Sequence, residues 1–172
     1  MTTGYGENQL LKRFNEKWGE RGHCIRLQQR KGDPVALSDL IAAIDGGPTY
    51  SIEVKRITGK RGVNRFQKHY KVRPLNFATD FSISTDVKVE FKHQLERQVR
   101  LSRRMGWTPL VFLQIVTPQI RTDEYLLDSL QLYNLMQNQK VPSVISDDFP
   151  SMHLGDLYDR LFRARKDVGV RI

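Results

Sequence analysis

Two short strand-like runs, Asp39-Leu40-Ile41-Ala42-Ala43-Ile44 and Tyr50-Ser51-Ile52-Glu53-Val54-Lys55-Arg56-Ile57, are separated by Asp45-Gly46-Gly47-Pro48. A Gly-rich turn between two such runs makes a β-hairpin the natural connection. The hairpin constrains everything around it. Side chains alternate along a strand, so Glu53 and Lys55 emerge on one face while Ile52 and Val54 take the other. Asp39 begins the adjoining strand and reaches Glu53 across the ladder. Two carboxylates and one ammonium are therefore aimed at a common point.

The segments on either side supply the elements that would cover this hairpin. Leu11, Phe14 and Trp18 fall at helical spacing and predict a helix over 7–19, with Gly19 as its stop. The same spacing projected back from Leu11 reaches Glu7, a carboxylate at the head of a core-facing stripe and costly there without a partner. A favourable acidic residue in a first helical turn explains Glu7 equally well. A short strand over 23–28 and a polar loop over 28–34 lead to the hairpin. Beyond it, Val87, Phe91, Leu95 and Val99 recur every fourth residue and predict a helix over 87–105, with Arg103 and Arg104 in its last turn before Gly106. Leu110 to Val116 is a near-continuous apolar run, expected to be a strand buried on both faces. A third helix is expected over 122–137 on a Leu126/Leu130/Tyr133 stripe. A short apolar stretch at 141–145 and a final helix near 154–163 complete the chain. A hairpin followed by a helix-linked crossover to a buried strand gives an α/β fold, a mixed central sheet flanked by helices. The 172 residues suffice for one domain and not for two ordinary ones. Within it we expect a basic insertion at about 58–86 and a helical C-terminal extension over about 119–172.

Charge narrows the partners. Lys and Arg number 28 against 19 Asp and Glu, a net +9, which draws polyanions. Between Arg56 and Thr79 there is no acidic residue, while Lys60, Arg61, Arg65 and Lys68 recur with Phe66 and Tyr70 interleaved. Such a segment suits an arm that neutralises phosphates and stacks on unpaired bases; a solvated loop with its aromatics packed back is the plainer reading. Arg30, Lys31, Arg56, Lys60, Arg61, Arg65 and Lys68 are accordingly read as DNA contacts, and Gln94 on the following helix is counted with them. No apolar run approaches membrane-spanning length, and no basic amphipathic helix favours a membrane surface. The N-terminus carries no charged leader ahead of an apolar run. Cys24 is the sole cysteine, so no intrachain disulfide forms. A reducing, intracellular (cytoplasmic) setting is expected. His23, His69, His93 and His153 lack ligand-like spacing and are read as ordinary histidines.

Paired carboxylates repel, and one tends to take up a proton unless a cation intervenes. All-oxygen ligation with room for water suits Mg²⁺, with Mn²⁺ as a substitute. A cation so held acidifies water and stabilises charge on a phosphate, and Lys55 is placed to orient that water.

The elements Gly6-Glu7, Ser38-Asp39-Leu40, Ile52-Glu53-Val54-Lys55 and a following helix with Gln94 resemble the archaeal-type Holliday junction resolvases of the PD-(D/E)XK nuclease superfamily. Phe91-Lys92-His93-Gln94 and Gly106-Trp107-Thr108-Pro109-Leu110-Val111-Phe112 are similar to the helix and closing strand of those enzymes and of the bacterial penicillin-binding-related resolvases. The resemblance spans residues 4–117 and implies a restriction-endonuclease-like fold. It further implies a homodimer with a Mg²⁺-dependent site in each protomer, built from Glu7, Asp39, Glu53 and Lys55, with Asp39, Glu53 and Glu7 about the metal. Branched or duplex DNA would be the substrate. Ser38 stands where the family name has Pro. A less selective or restriction-type nuclease, and a non-catalytic DNA-binding protein on the same fold, are the alternatives.

Overall fold

A computed structural model describes residues 5–27, 37–58, 85–116, 122–138 and 152–163. Helix α1 (Tyr5–Trp18) passes through one 3-10 turn (Gly19–Arg21) into β1 (Gly22–Arg26). Then follow β2 (Leu40–Ile44), β3 (Thr49–Thr58), α2 (Thr85–Met105), β4 (Thr108–Val116), β5 (Thr122–Asp128), α3 (Ser129–Asn138) and α4 (Gly155–Phe162). The strands form one sheet in the order β1-β2-β3-β4-β5. Neighbours are antiparallel except β3 and β4, which run parallel and are joined across α2. The result is the mixed sheet flanked by helices that the sequence pattern predicts.

The β2–β3 hairpin closes where expected. Gly46 holds φ at 70°, open to glycine at little cost, and the Gly47 N–H donates to Ile44 O at 2.9 Å. The pairing sets Leu40 opposite Ile52. Continued by one residue, that register puts Asp39 opposite Glu53.

Two apolar layers cover the sheet. On one face α1 and α4 bring Leu10, Phe14 and Phe162 against Leu40, Ile52, Leu110, Phe112 and Leu126. On the other, α2 and α3 bring Phe91, Leu95, Leu132 and Met136 against Val111, Leu113 and Leu127. Strand β4 feeds both layers by alternation, so its sequence is apolar without a polar face. Each fully buried Leu or Phe contributes about 1.5–3 kcal/mol relative to an exposed one. Cys24 is buried beneath α1, and burial pushes its thiol up to about 12.

Helix α2 is pinned to the strands by a buried polar clamp. The Gln98 amide donates to Ser51 O and Leu110 O, both at 3.0 Å, while its carbonyl accepts from Ser129 Oγ at 2.9 Å. Ser51 Oγ lies 2.7 Å from Ser102 Oγ. At the end of the helix the Trp107 N–H donates to Ser102 O and the Gly106 N–H to Arg103 O, the double closure that satisfies terminal carbonyls.

The helix expected over 122–137 is corrected by the structure. Thr122–Asp128 is strand β5, and only Ser129–Asn138 is helical. Leu126 and Leu127 are both fully buried, one in each apolar layer, an alternation that a strand provides. Pairing with β5 also satisfies the outer edge of β4. Leu130, from the expected stripe, is 39% exposed, and Leu132 and Met136 pack instead. The C-terminal part is thus not a purely helical extension, since it supplies one of the five strands. Helix α4 returns to α1: Lys17 Nζ donates to Asp159 O, and Trp18 Nε1 to Leu161 O. Arg13, Glu124 and Tyr158 form a hydrogen-bonded group between them. Among the described residues, no helix is long and apolar enough to cross a membrane. The stretch at 141–145 and nearly all of the basic insertion lie outside the described residues.

Candidate active site

Asp39 stands at the entrance to β2, held from both neighbouring strands. Its carbonyl accepts from the Leu27 N–H at 2.9 Å, and its Oδ2 accepts from the Val54 N–H at 2.8 Å. One carboxylate oxygen is thus committed to β3 and fixes the side chain next to Glu53. Glu53 is only 6% exposed, so it is not a solvated surface charge. Burial, then the Asp39 charge and a hydrogen bond with Asp39, push the Glu53 carboxyl up to about 8 against the pull of Lys55 and Arg97. Two carboxyls so placed repel one another, and a proton or a cation between them relieves that repulsion.

Lys55 follows on the same face. Its Nζ lies 3.8 Å from Glu53 Oε1 and 5.1 Å from the centre of the Phe91 ring. The apolar neighbour and the nearby carboxylate together restrict where the ammonium can point. Asp39, Glu53 and Lys55 therefore converge as the alternation of β3 requires.

Glu7 is near but is engaged elsewhere. It belongs to the α1 layer, whereas Glu53 faces α2, and Arg26 Nη2 holds its Oε2 at 2.8 Å. Burial and the charge of Asp39 raise the Glu7 carboxyl, while Arg26 and Lys55 oppose the rise. Gly6 permits the close approach of α1. A Cβ there would stand 2.5 Å from Gln114 Oε1 and 3.1 Å from Val54 Cγ1. Among the described residues, no three His, Cys, Asp or Glu side chains are grouped to hold a metal ion. The expected third ligand, Glu7, is not assembled with the pair.

Of the residues read as DNA contacts, Arg56 is exposed on β3, and Gln94 is half-buried on α2 with its Oε1 enclosed and unbonded. Arg30, Lys31, Lys60, Arg61, Arg65 and Lys68 lie outside the described residues. His153 is structural: the Leu126 N–H donates to its Nδ1 at 2.9 Å, and its ring packs against Tyr125 and Tyr158. Two basic residues escape a reading of the sequence. Arg26 ends β1 opposite Leu40, next in register to Asp39, a position that marks it once strand pairing is known. Arg97 acts on Glu53 from α2, and its only signal in the sequence is its place one turn beyond Gln94.

The donor set fits a hard divalent cation at two points. Asp39 and Glu53 offer adjacent carboxylates, and their mutual repulsion is relieved by positive charge between them. Lys55 stands beside them without displacing either.

No family model matches the chain, and no curated protein matches it. Among solved structures, the chain is similar to that of Archaeoglobus fulgidus Hjc, a Holliday junction resolvase from an archaeal hyperthermophile, with 22% identity and a TM-score of 0.42 over 76% of this chain and 78% of that one.

Proposed function

We propose that the protein is a Mg²⁺-dependent DNA endonuclease that hydrolyses phosphodiesters in branched DNA, with four-way junctions as its preferred substrate. The observation that carries this reading is the convergence of a buried Glu53, a strand-anchored Asp39 and the Lys55 ammonium on one point. The net charge of +9 supports a polyanionic substrate. The motif resemblance points to junctions in particular.

In this reading Asp39 and Glu53 hold the cation, which when bound lowers the pKa of water and screens charge on the phosphate. Asp39 contributes the oxygen not committed to Val54. Lys55 offers three N–H donors and positions the attacking water while stabilising charge that builds on the phosphate oxygens. The water loses a proton as its oxygen bonds to phosphorus, one P–O ester bond breaks, and the departing oxygen takes up a proton. Glu7, tethered by Arg26, adds negative potential from the α1 side. A homodimer would present two such sites to the approximate two-fold axis of a junction.

The test is cleavage of a synthetic four-way junction compared with a linear duplex, with and without Mg²⁺. Paired symmetric nicks in the junction alone are expected, and Asp39→Asn or Lys55→Ala should abolish them. Equal cutting of both substrates replaces the proposal with a general nuclease. Tight binding with no cuts replaces it with a non-catalytic DNA-binding protein.

A further inference from the structure

Gln94 and Arg97 lie one turn apart on α2, and each encloses a polar atom, Oε1 of one and Nε of the other, that has no hydrogen-bond partner among the described residues. Buried polar atoms in folded proteins are nearly always paired, because leaving one unpaired forfeits its hydration. Here an acceptor and a donor are enclosed without partners on one stretch of helix and do not satisfy one another.

Their location is fixed from both ends. The Phe91 ring packs against Lys55 of β3, and the Gln98 amide is hydrogen-bonded to Ser51 O of the same strand. Positions 94 and 97 fall between these anchors and therefore lie over the middle of that strand segment, where Glu53 stands. The Arg97 charge is felt by the Glu53 carboxylate, although the ion pair Glu53 makes is with Lys55.

We propose that Arg97 grips the scissile phosphodiester, its guanidinium donating to a non-bridging oxygen, with the unpaired Gln94 Oε1 beside it accepting from a water. The inference rests on the nuclease reading above and deepens it. Guanidinium is permanently charged and presents donors in a planar fork that matches phosphate geometry. A donor fixed in advance where charge accumulates accelerates the reaction more than it strengthens substrate binding. Arg97 is set in place by α2 whether or not a cation is bound, so its contact with DNA does not depend on the metal.

Wild type, Arg97→Met and Arg97→Lys are compared on a synthetic junction and a linear duplex. Binding is measured in EDTA with normal DNA and with DNA carrying a neutral methylphosphonate at the bond that wild type cuts. Single-turnover cleavage is measured in Mg²⁺. Neutralising that phosphate should weaken wild type several-fold and leave Arg97→Met nearly unaffected. The cleavage rate of Arg97→Met should fall by ~10²-fold, with Arg97→Lys recovering part of the loss and melting like wild type. An equal methylphosphonate penalty in wild type and Arg97→Met, or cleavage by Arg97→Met within about two-fold of wild type, overturns the inference and leaves the nuclease reading intact. If Arg97→Met does not fold, Arg97→Lys decides, and a wild-type rate in that variant overturns the inference. A wild type that cuts neither DNA removes both readings together.

Discussion

The Lys55 ammonium is held between an aromatic face and a carboxylate, 5.1 Å from the centre of the Phe91 ring and 3.8 Å from Glu53 Oε1. Phe91 thus does two jobs, filling the α2 layer and limiting the directions open to Lys55. Phe91→Leu keeps most of the apolar volume and removes the π face. We expect the single-turnover cleavage rate to fall by about 10-fold, in line with a partly mispositioned catalytic group. DNA affinity in EDTA should be unchanged. A rate equal to wild type would show that the ring only packs.

Glu53 links the site to stability. Its carboxyl is raised to about 8 in the folded protein from an ordinary 4.5. Between those values the native chain holds a proton that the unfolded chain has lost. Without metal, stability therefore falls as pH rises through this window. Glu53→Gln keeps the shape and removes the titration. In EDTA the variant should match wild type near pH 4 and exceed it at pH 9, measured by urea unfolding. Mg²⁺ should stabilise wild type at pH 9 and leave the variant unmoved. Parallel pH profiles for the two proteins would refute the assignment.

The Gln98 clamp is a stability device, and its loss should be felt in the fold before the chemistry. Gln98→Met preserves length but leaves Ser51 O, Leu110 O and Ser129 Oγ each short of one bond. A loss of about 2–4 kcal/mol is expected in chemical denaturation. A loss below about 1 kcal/mol would mean that water replaces the amide.

The basic insertion makes a separate prediction from sequence alone. Replacing Lys60, Arg61, Arg65 and Lys68 together by Ala should weaken DNA binding and make the slope of log affinity against log salt shallower by up to about 4. An unchanged slope would discard the arm.

Much of this arrangement is legible in the chain, for local reasons. The Gly-Gly-Pro turn and the two runs beside it specify the hairpin, and strand alternation alone puts Glu53 and Lys55 together. Four-residue spacing gives α2, and the unbroken apolar run gives β4. What stays hidden is not local. Thr122–Asp128 becomes a strand because β4 offers an unpaired edge, which no window of its own sequence reports. The Leu126/Leu130 spacing imitates a helix across a junction between two elements. Helical spacing brings Glu7 towards the site, yet its partner Arg26 comes from a strand whose pairing has to be known first. Arg97 reads as one more charge on a basic helix, and only the anchors at Phe91 and Gln98 place it over Glu53.

Cys24 has a practical consequence. A lone thiol shut beneath α1 and raised to about 12 is almost entirely un-ionised at neutral pH and out of reach of thiol reagents. Folded wild type should show no rapid reaction with a colorimetric disulfide reagent and one thiol per chain once unfolded. New cysteines installed at exposed Asp45 and His93 could then carry fluorophores without a cysteine-free background, and the distance between hairpin and helix could be followed as substrate arrives.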